Sequence, residues 1–128
     1  MSIDPAGRDE FLNAVIDGDI GAVERLLAEG CDPNVVDRAG RSALHFTAQK
    51  NHAELTSILL NAGALHSSRD HNGNTALSDA VFSYQGGAEC VSVLLSAGAD
   101  PDMMNDYGVS PRALALSIGN YDVRKFFP

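Results

Sequence analysis

Apolar residues recur at helical spacing in short stretches along the chain. Between residues 53 and 63, Leu55, Ile58 and Leu59 lie three or four positions apart, so they occupy one face of a helix. In the stretch before it, Leu44 and Ala48 form a narrower apolar face. The pattern therefore predicts short helices in pairs, separated by polar turns.

This pattern recurs at a step of 33 to 35 residues. The motif Asp37-Arg-Ala-Gly40 returns with Gly73 after 33 residues and with Gly108 after a further 35. A second marker, a leucine pair followed three residues later by glycine, keeps the same steps. Its copies end at Gly30, Gly63 and Gly98. Two independent markers in one phase predict a repeat protein, in which each unit packs against its neighbours.

The residues around each marker explain how a unit folds. In the Asp-x-x-Gly motif, the aspartate side chain accepts hydrogen bonds from nearby backbone N–H groups, and the glycine adopts a positive φ without steric cost. The residue two positions after that glycine is placed to cap a helix: Ser42, Thr75 and Ser110. Pro111 stands at the favoured first helical position, and Gly63 is placed to end a helix in the left-handed conformation. Each unit is thus predicted to contain a turn, a helix, a second turn and a second helix.

The unit resembles the ankyrin repeat. Residues 37–45 and 70–78 match the family's Asp-x-x-Gly-x-Thr-Pro-Leu-His opening, and residues 59–64 match its Leu-Leu-x-x-Gly-Ala close. The resemblance implies an all-α fold, an ankyrin-repeat solenoid of about four stacked helix-turn-helix repeats with short β-hairpin fingers. It implies a single domain over residues 1–128, with repeats at approximately 8–36, 37–69, 70–104 and 105–128.

The copies also depart from the family pattern. The first is expected to lack the hairpin opening, and the last is expected to stop inside its second helix. His45 is retained at a position that the family uses for hydrogen bonds between repeats, but Ser78 and Ala113 replace it in later copies. The third copy has two additional residues around positions 83–87, which form either a recognition loop or a tolerated change of loop length.

The net charge of −8 is concentrated at one end of the chain. Residues 1–37 contain nine acidic and two basic side chains, a charge of −7, which leaves −1 for the rest. This balance argues against a nucleic-acid ligand, since proteins that bind one use lysine and arginine to neutralise phosphates. The acidic first repeat is either a contact for a basic protein surface or a cap that keeps the end of the stack soluble.

Composition argues against several other classes. No apolar stretch approaches the roughly 18 residues of a membrane span, and the first residues lack the pattern of a signal peptide, so a cytoplasmic location is expected. Cys31 and Cys90 have no neighbouring cysteine or histidine at metal-ligand spacing. No disulfide, metal or other cofactor is therefore expected.

Few residues are available for catalysis. His45 and His52 fall at scaffold positions of the repeat, and Asp79 is expected to lie on the surface without a partner. The chain has no glycine-rich phosphate loop, no His-Glu-x-x-His and no Gly-x-Ser-x-Gly motif, so a non-enzymatic protein is predicted. Asn34 resembles the loop asparagine that hydroxylases modify in some ankyrin proteins, which leaves a role as a modification substrate or a structural role.

The resemblance also implies where a partner binds. Ankyrin proteins use the finger tips and the exposed side of each first helix, which together form a concave face. The residues that match this face, with Tyr84 of the additional loop, are Arg38, Ala39, Arg41, Gln49, Lys50, His71, Asn72, Asn74, Phe82, Ser83, Tyr84, Asp106, Tyr107, Val109 and Ile118. The set runs from basic to aromatic, so it suits a partner with an acidic patch opposite the second repeat and an apolar one opposite Tyr107.

The predicted function is that of a stoichiometric protein-binding module, an adaptor or an inhibitor, which is a monomer when free. An immunity protein that neutralises a cognate toxin is one form of this function. The alternative is a structural role as a piece of a longer ankyrin array. The basic partner inferred from the net charge and the acidic patch opposite the second repeat are competing expectations.

Overall fold

Four pairs of short helices form the part of the chain that a computed structural model describes, which is residues 3–84, 87–118 and 121–128, with the backbone alone at 121 and 122. The pairs are α1 (Glu10–Ile16) with α2 (Ile20–Ala28), α3 (Ala43–Gln49) with α4 (Ala53–Asn61), α5 (Ala76–Phe82) with α6 (Glu89–Ser96), and α7 (Pro111–Ser117) with α8 (Tyr121–Arg124). The helices of each pair pack on each other, and α1, α3, α5 and α7 pack in a row. The predicted all-α repeat solenoid is confirmed.

The first helix of each pair begins at a capped residue. Thr75 and Ser110 accept the backbone N–H groups of Ser78 and Ala113 with their hydroxyl oxygens, and Ser42 forms a capping box with His45. Pro111 is the first residue of α7, as its position predicted. These caps satisfy backbone donors that a short helix would otherwise leave unpaired, which fixes the starting point of each unit.

The second helices end in left-handed glycines, as expected. Gly63 has a φ of 97°, and the backbone N–H of Ala64 donates to the carbonyl oxygen of Leu59 at 3.0 Å. The same pairing closes the second helices at Gly30 and Gly98. Leu59 also lies at the centre of the core, with no exposed surface. One leucine therefore serves both the helix end and the hydrophobic core.

Four turns precede the first helices, and we call them fingers: Asp4–Arg8, Asp37–Arg41, Asp70–Asn74 and Asn105–Val109. In the second finger, Asp37 Oδ1 accepts the backbone N–H groups of Ala39 and Arg41, both at 2.9 Å. The other fingers repeat these two contacts. Successive fingers are joined by backbone hydrogen bonds, such as the one from His71 N–H to Ala39 O at 2.9 Å. The fingers thus form a hydrogen-bonded row, and in the described residues their strand pairing is limited to a single bridge between Val36 and Ser42.

The expectation that the first repeat lacks a hairpin opening is wrong. Asp4 Oδ1 accepts the backbone N–H groups of Ala6 and Arg8 at 3.0 and 2.9 Å, and Gly7 has a φ of 80°. The backbone N–H of Arg38 donates to the carbonyl oxygen of Ala6 at 3.0 Å, which joins this finger to the next. The first unit therefore starts at Asp4, and it carries the same turn as the others.

An asparagine takes the place of glycine in the link between α3 and α4. Asn51 has a φ of 51°, in the left-handed region where asparagine is tolerated better than most residues. Its side chain accepts the backbone N–H of Cys90 at 3.0 Å and donates to the carboxylate of Glu89. Asn51 thus anchors the start of α6, just after the longer loop of the third repeat. Residues 85 and 86 of that loop lie outside the described residues.

The fingers of the last two repeats lead to a test of this row. A Cβ added to Gly73, whose φ is 78°, would lie 2.8 Å from the backbone nitrogen of Asp106, while one added to Gly108, with a φ of 76°, meets nothing within 4 Å. We expect Gly108→Ala to lower the free energy of unfolding by about 1 kcal/mol from backbone strain alone. Gly73→Ala should cost at least about 1 kcal/mol more, because the two fingers must also separate. Urea denaturation of both variants measures the difference, and equal losses would show that contact between the fingers contributes nothing.

Candidate protein-binding groove

A groove of about 600 Å³ runs between the last two fingers and across α5. The finger residues and the exposed sides of α3, α5 and α7 contribute to its walls. Its lining consists of Arg41, Gln49, Asp70, Asn72, Asn74, Ser78, Asp79, Phe82, Ser83, Asn105, Tyr107, Val109 and Leu114. We call it the finger groove. Its volume lies within the range of ligand-binding clefts.

Sequence reasoning placed eight of these residues on the concave face: Arg41, Gln49, Asn72, Asn74, Phe82, Ser83, Tyr107 and Val109. The structure brings them together at the groove. The other predicted residues lie outside it: Arg38, Ala39, Lys50, His71, Tyr84, Asp106 and Ile118. Ile118 caps the end of α7, and Tyr84 is half-buried against the core. The role of all fifteen in binding remains a prediction.

Five lining residues were missed: Asp70, Ser78, Asp79, Asn105 and Leu114. The turn motif accounts for Asp70 and Asn105 through their local hydrogen bonds, so the motif gave no indication that they also line the groove. Asp79 was expected to lie on the surface without a partner, but it is half-buried, and Oδ2 accepts a hydrogen bond from Gln49 Nε2 at 3.1 Å. The sequence carries one signal for the position of Asp79 at the groove. Asp79 and Phe82 lie three positions apart on one helix, so they share a face.

Two aromatic rings stand at the groove with most of their surface in solvent. Phe82 is 77% exposed and Tyr107 is 76% exposed. Phe82 ends α5 on its groove side, whereas Leu77 and Val81 of the same helix are buried. Large exposed aromatic side chains in a concave site are typical of protein interfaces, where they supply contact area at a small cost in conformational entropy. These rings are the strongest sign of a binding function on this face.

Carboxylates lie close together at the polar side of the groove. One oxygen of Asp70, one oxygen of Asp79 and a ring nitrogen of His45 all lie within 4.8 Å of one another. Burial raises the pKa of the Asp79 carboxyl, and the charge of Asp70 raises it further, while His45, Gln49 and Arg41 act in the opposite direction. The groove therefore holds a carboxylate that lacks the solvation of a surface group.

His45 joins this cluster as a scaffold residue. Its Nδ1 accepts the backbone N–H of Ser42 at 3.0 Å, so the ring carries its proton on Nε2, which donates to the carbonyl oxygen of Asn74 at 2.8 Å. Both nitrogens are thus occupied, and the side chain is fully buried. A metal ion could bind at this cluster only after one of these structural bonds broke, so the donor set fits a metal poorly.

Between the third and fourth repeats, Ser78 stands in place of this histidine, and other side chains make the link. Arg69 donates to the carbonyl oxygens of Gly73 at 3.1 Å and Met104 at 3.0 Å. Asn105 Nδ2 donates to Asn74 Oδ1 at 2.9 Å. These bonds hold the third and fourth fingers together, so the groove walls keep their shape without the family's histidine.

The Asp79 carboxyl leads to a prediction on pH and stability. Because its pKa is higher in the folded than in the unfolded chain, the charged form opposes folding at neutral pH, and this effect disappears as the pH falls below the unfolded pKa. Asp79→Asn keeps an acceptor for Gln49 but cannot ionise. We expect it to unfold at a higher temperature than the wild type at pH 7 and at the same temperature as the wild type at about pH 3. Thermal unfolding followed by circular dichroism measures this, with Glu24→Gln at an exposed position of α2 as the control. A lower unfolding temperature at pH 7 would contradict it.

A second, shallower depression lies on the acidic first repeat. Its lining includes Asp4, Glu10, Asp17 and Asp19, with Arg8 as the single basic side chain. Asp4 and Arg8 form an ion pair at 2.9 Å, so part of this charge is already neutralised within the finger. Both earlier interpretations of the acidic repeat, a contact for a basic surface and a solubilising cap, remain predictions.

Three smaller expectations concern Asn34, the two cysteines and membrane spans. Asn34 Nδ2 donates to Gly63 O at 3.2 Å, and Asn34 Oδ1 accepts the Leu65 N–H at 2.8 Å, which favours its structural role. Cys31 and Cys90 are both free thiols. None of the helices in the described residues is long and apolar enough to cross a membrane.

Comparison with known proteins agrees with the geometry. The family model for ankyrin repeats (3 copies) matches residues 11–105. The tyrosine-protein kinase HTK16 of Hydra vulgaris is 35% identical over 112 residues, which cover 86% of this chain and 14% of that protein. The E3 ubiquitin-protein ligase KEG of Arabidopsis thaliana is 38% identical over 67% of this chain and 5% of its own, and the intracellular phospholipase A2 of Caenorhabditis elegans is 33% identical over 89% and 11%. The chain spans less than a sixth of the length of each of these relatives. It belongs to the ankyrin repeat family, whose members are protein–protein interaction modules.

Proposed function

We propose that this protein is a non-enzymatic binding module that holds one partner protein in the finger groove. The observation that carries the proposal is the pair of exposed rings, Phe82 and Tyr107, on the walls of a groove that rigid, hydrogen-bonded fingers frame. Because hydrogen bonds already order the finger backbone, less backbone entropy is lost when a partner docks, so more of the contact energy appears as affinity.

The side chains that resemble catalytic groups support a non-enzymatic role. Both ring nitrogens of His45 serve the link between repeats. Cys90 is buried, and burial raises the pKa of its thiol, which opposes formation of a nucleophilic thiolate. His45 and Cys90 therefore have structural explanations, which supports a non-enzymatic role.

The module acts as an adaptor or as an inhibitor that masks the surface it binds. An immunity protein that neutralises a toxin would be an inhibitor of this kind. A second candidate is a segment of a larger ankyrin array, because the relatives are many times longer than the matched region. In that case the same groove would bind a partner and bring it to other domains of the longer protein.

Affinity capture with matched variants tests the proposal. The wild type should retain one partner protein at near equal stoichiometry, and Tyr107→Ala and Phe82→Ala should each weaken the complex by more than about 1 kcal/mol, because each removes a large contact surface. Leu65→Ala is the control, since Leu65 is 59% exposed but does not line the groove. Calorimetric titration of the captured partner gives the affinities. If both aromatic variants bind like the wild type while Leu65→Ala does not, the interface lies elsewhere.

A further inference from the structure

Two carboxylates, those of Asp70 and Asp79, line the finger groove close to each other. Oxygens of Asp70 and Asp79 lie within 4.8 Å of each other, and both side chains are half-buried. Neither belongs to an ion pair among the described residues, unlike Asp4, Asp102 and Asp106, which pair with arginines. Carboxylates withdrawn from water are stabilised by a positive charge that comes close to them.

The hydrogen bonds of this pair leave acceptors open. Asp70 Oδ1 takes two backbone N–H groups, from Asn72 and Asn74, each at 2.9 Å. Asp79 Oδ2 takes the Gln49 amide at 3.1 Å. Within the described residues, Asp70 Oδ2 and Asp79 Oδ1 accept no hydrogen bond, so each carboxylate keeps one oxygen for a donor from outside.

We propose that the finger groove binds an arginine side chain of the partner protein, with Asp70 and Asp79 as its hydrogen-bond acceptors and Phe82 and Tyr107 as aromatic walls. This inference rests on the proposed function and adds the chemistry of the partner. A guanidinium group has five N–H donors in one plane, enough to reach two separate carboxylates. Its flat face also stacks on aromatic rings. An arginine would therefore use both the carboxylates and the two rings, whereas a metal ion would use the carboxylates alone.

The charge of Arg41 is the main opposing feature. Arg41 lines the groove and lowers the pKa of Asp79, so it already offsets part of the negative potential. Asp70 and Asp79 are the acidic lining residues and Arg41 is the basic one, which leaves the lining with a charge of −1. The groove therefore still favours a cation, and removal of the Arg41 charge should favour it more. If the partner instead presents an acidic patch opposite the second repeat, removal of the Arg41 charge should weaken binding.

Selection from a random peptide library displayed on phage, with the full chain as bait, tests this inference. We expect the selected peptides to share an arginine, and synthetic copies with citrulline at that position to bind at least about tenfold more weakly. Asp79→Asn should cause a similar loss, whereas Arg41→Gln should strengthen binding a few-fold. Citrulline keeps the shape of arginine without the charge, so the comparison isolates the guanidinium.

Other outcomes separate the two proposals. In one such outcome, Tyr107→Ala is the one change that weakens peptide binding, with citrulline and Asp79→Asn leaving the affinity unchanged. That result would overturn the arginine site and leave the binding groove in place. Weaker binding to Arg41→Gln would overturn it in favour of an acidic partner, and loss of binding in EDTA would overturn it in favour of a metal ion. Selection of no peptide, or only of peptides that ignore Tyr107→Ala and Phe82→Ala, would contradict the binding groove as well.

Discussion

His45→Ala should lower the free energy of unfolding by about 3 kcal/mol, because it removes two hydrogen bonds inside the stack. The ring accepts the backbone N–H of Ser42 and donates to the carbonyl oxygen of Asn74 in the next finger. Alanine at this position leaves buried polar groups without partners and opens a cavity where the imidazole was. Chemical denaturation followed by circular dichroism measures the loss.

His71→Ala is the matched control for this prediction. His71 lies at the tip of the third finger with its side chain exposed, and its backbone rather than its imidazole makes the bond to Ala39. We expect this variant to stay within about 0.5 kcal/mol of the wild type. A His45→Ala protein as stable as His71→Ala would show that the link between the second and third repeats does not depend on the histidine.

Leu59→Ala should have a comparable or larger effect, about 2–5 kcal/mol, since Leu59 is fully buried in the core and its truncation leaves a cavity. Each repeat gains stability from its neighbours, so a defect in the second repeat also weakens the repeats that pack on it. Leu65→Ala, at an exposed leucine six positions away, should change the stability by less than about 0.5 kcal/mol. Equal effects of the two substitutions, measured in guanidinium chloride, would contradict the assigned core.

The repeat scaffold could be predicted because its signals are local and periodic. Capping residues, left-handed glycines and the leucine pair each follow from backbone geometry, and three such markers in one phase identify the fold. The first finger was missed although Asp4 and Gly7 lie 33 residues before Asp37 and Gly40. Residues 8–12 lack the Thr-Pro-Leu-His part of the motif, so this opening does not stand out as a copy of the later ones.

The groove could be predicted only in part, because its chemistry depends on contacts between repeats. Spacing places Phe82 and Tyr107 on exposed positions, but it does not show that Asp70 and Asp79 approach each other across a finger and a helix. The fold of the third repeat creates that proximity, and burial of Asp79, with the nearby charge of Asp70 as a smaller cause, raises the pKa of its carboxyl. Local interpretation assigned Asp70 to its turn and left Asp79 without a role.

The most direct test of the binding groove is a hydrogen-exchange footprint of the complex with the captured partner. Amides of the third and fourth fingers and of α5 should exchange more slowly in the complex than in the free chain, while those of α2 and α4 should exchange at the same rate. Slower exchange confined to the acidic first repeat or to α2 and α4, with the groove unchanged, would contradict the account.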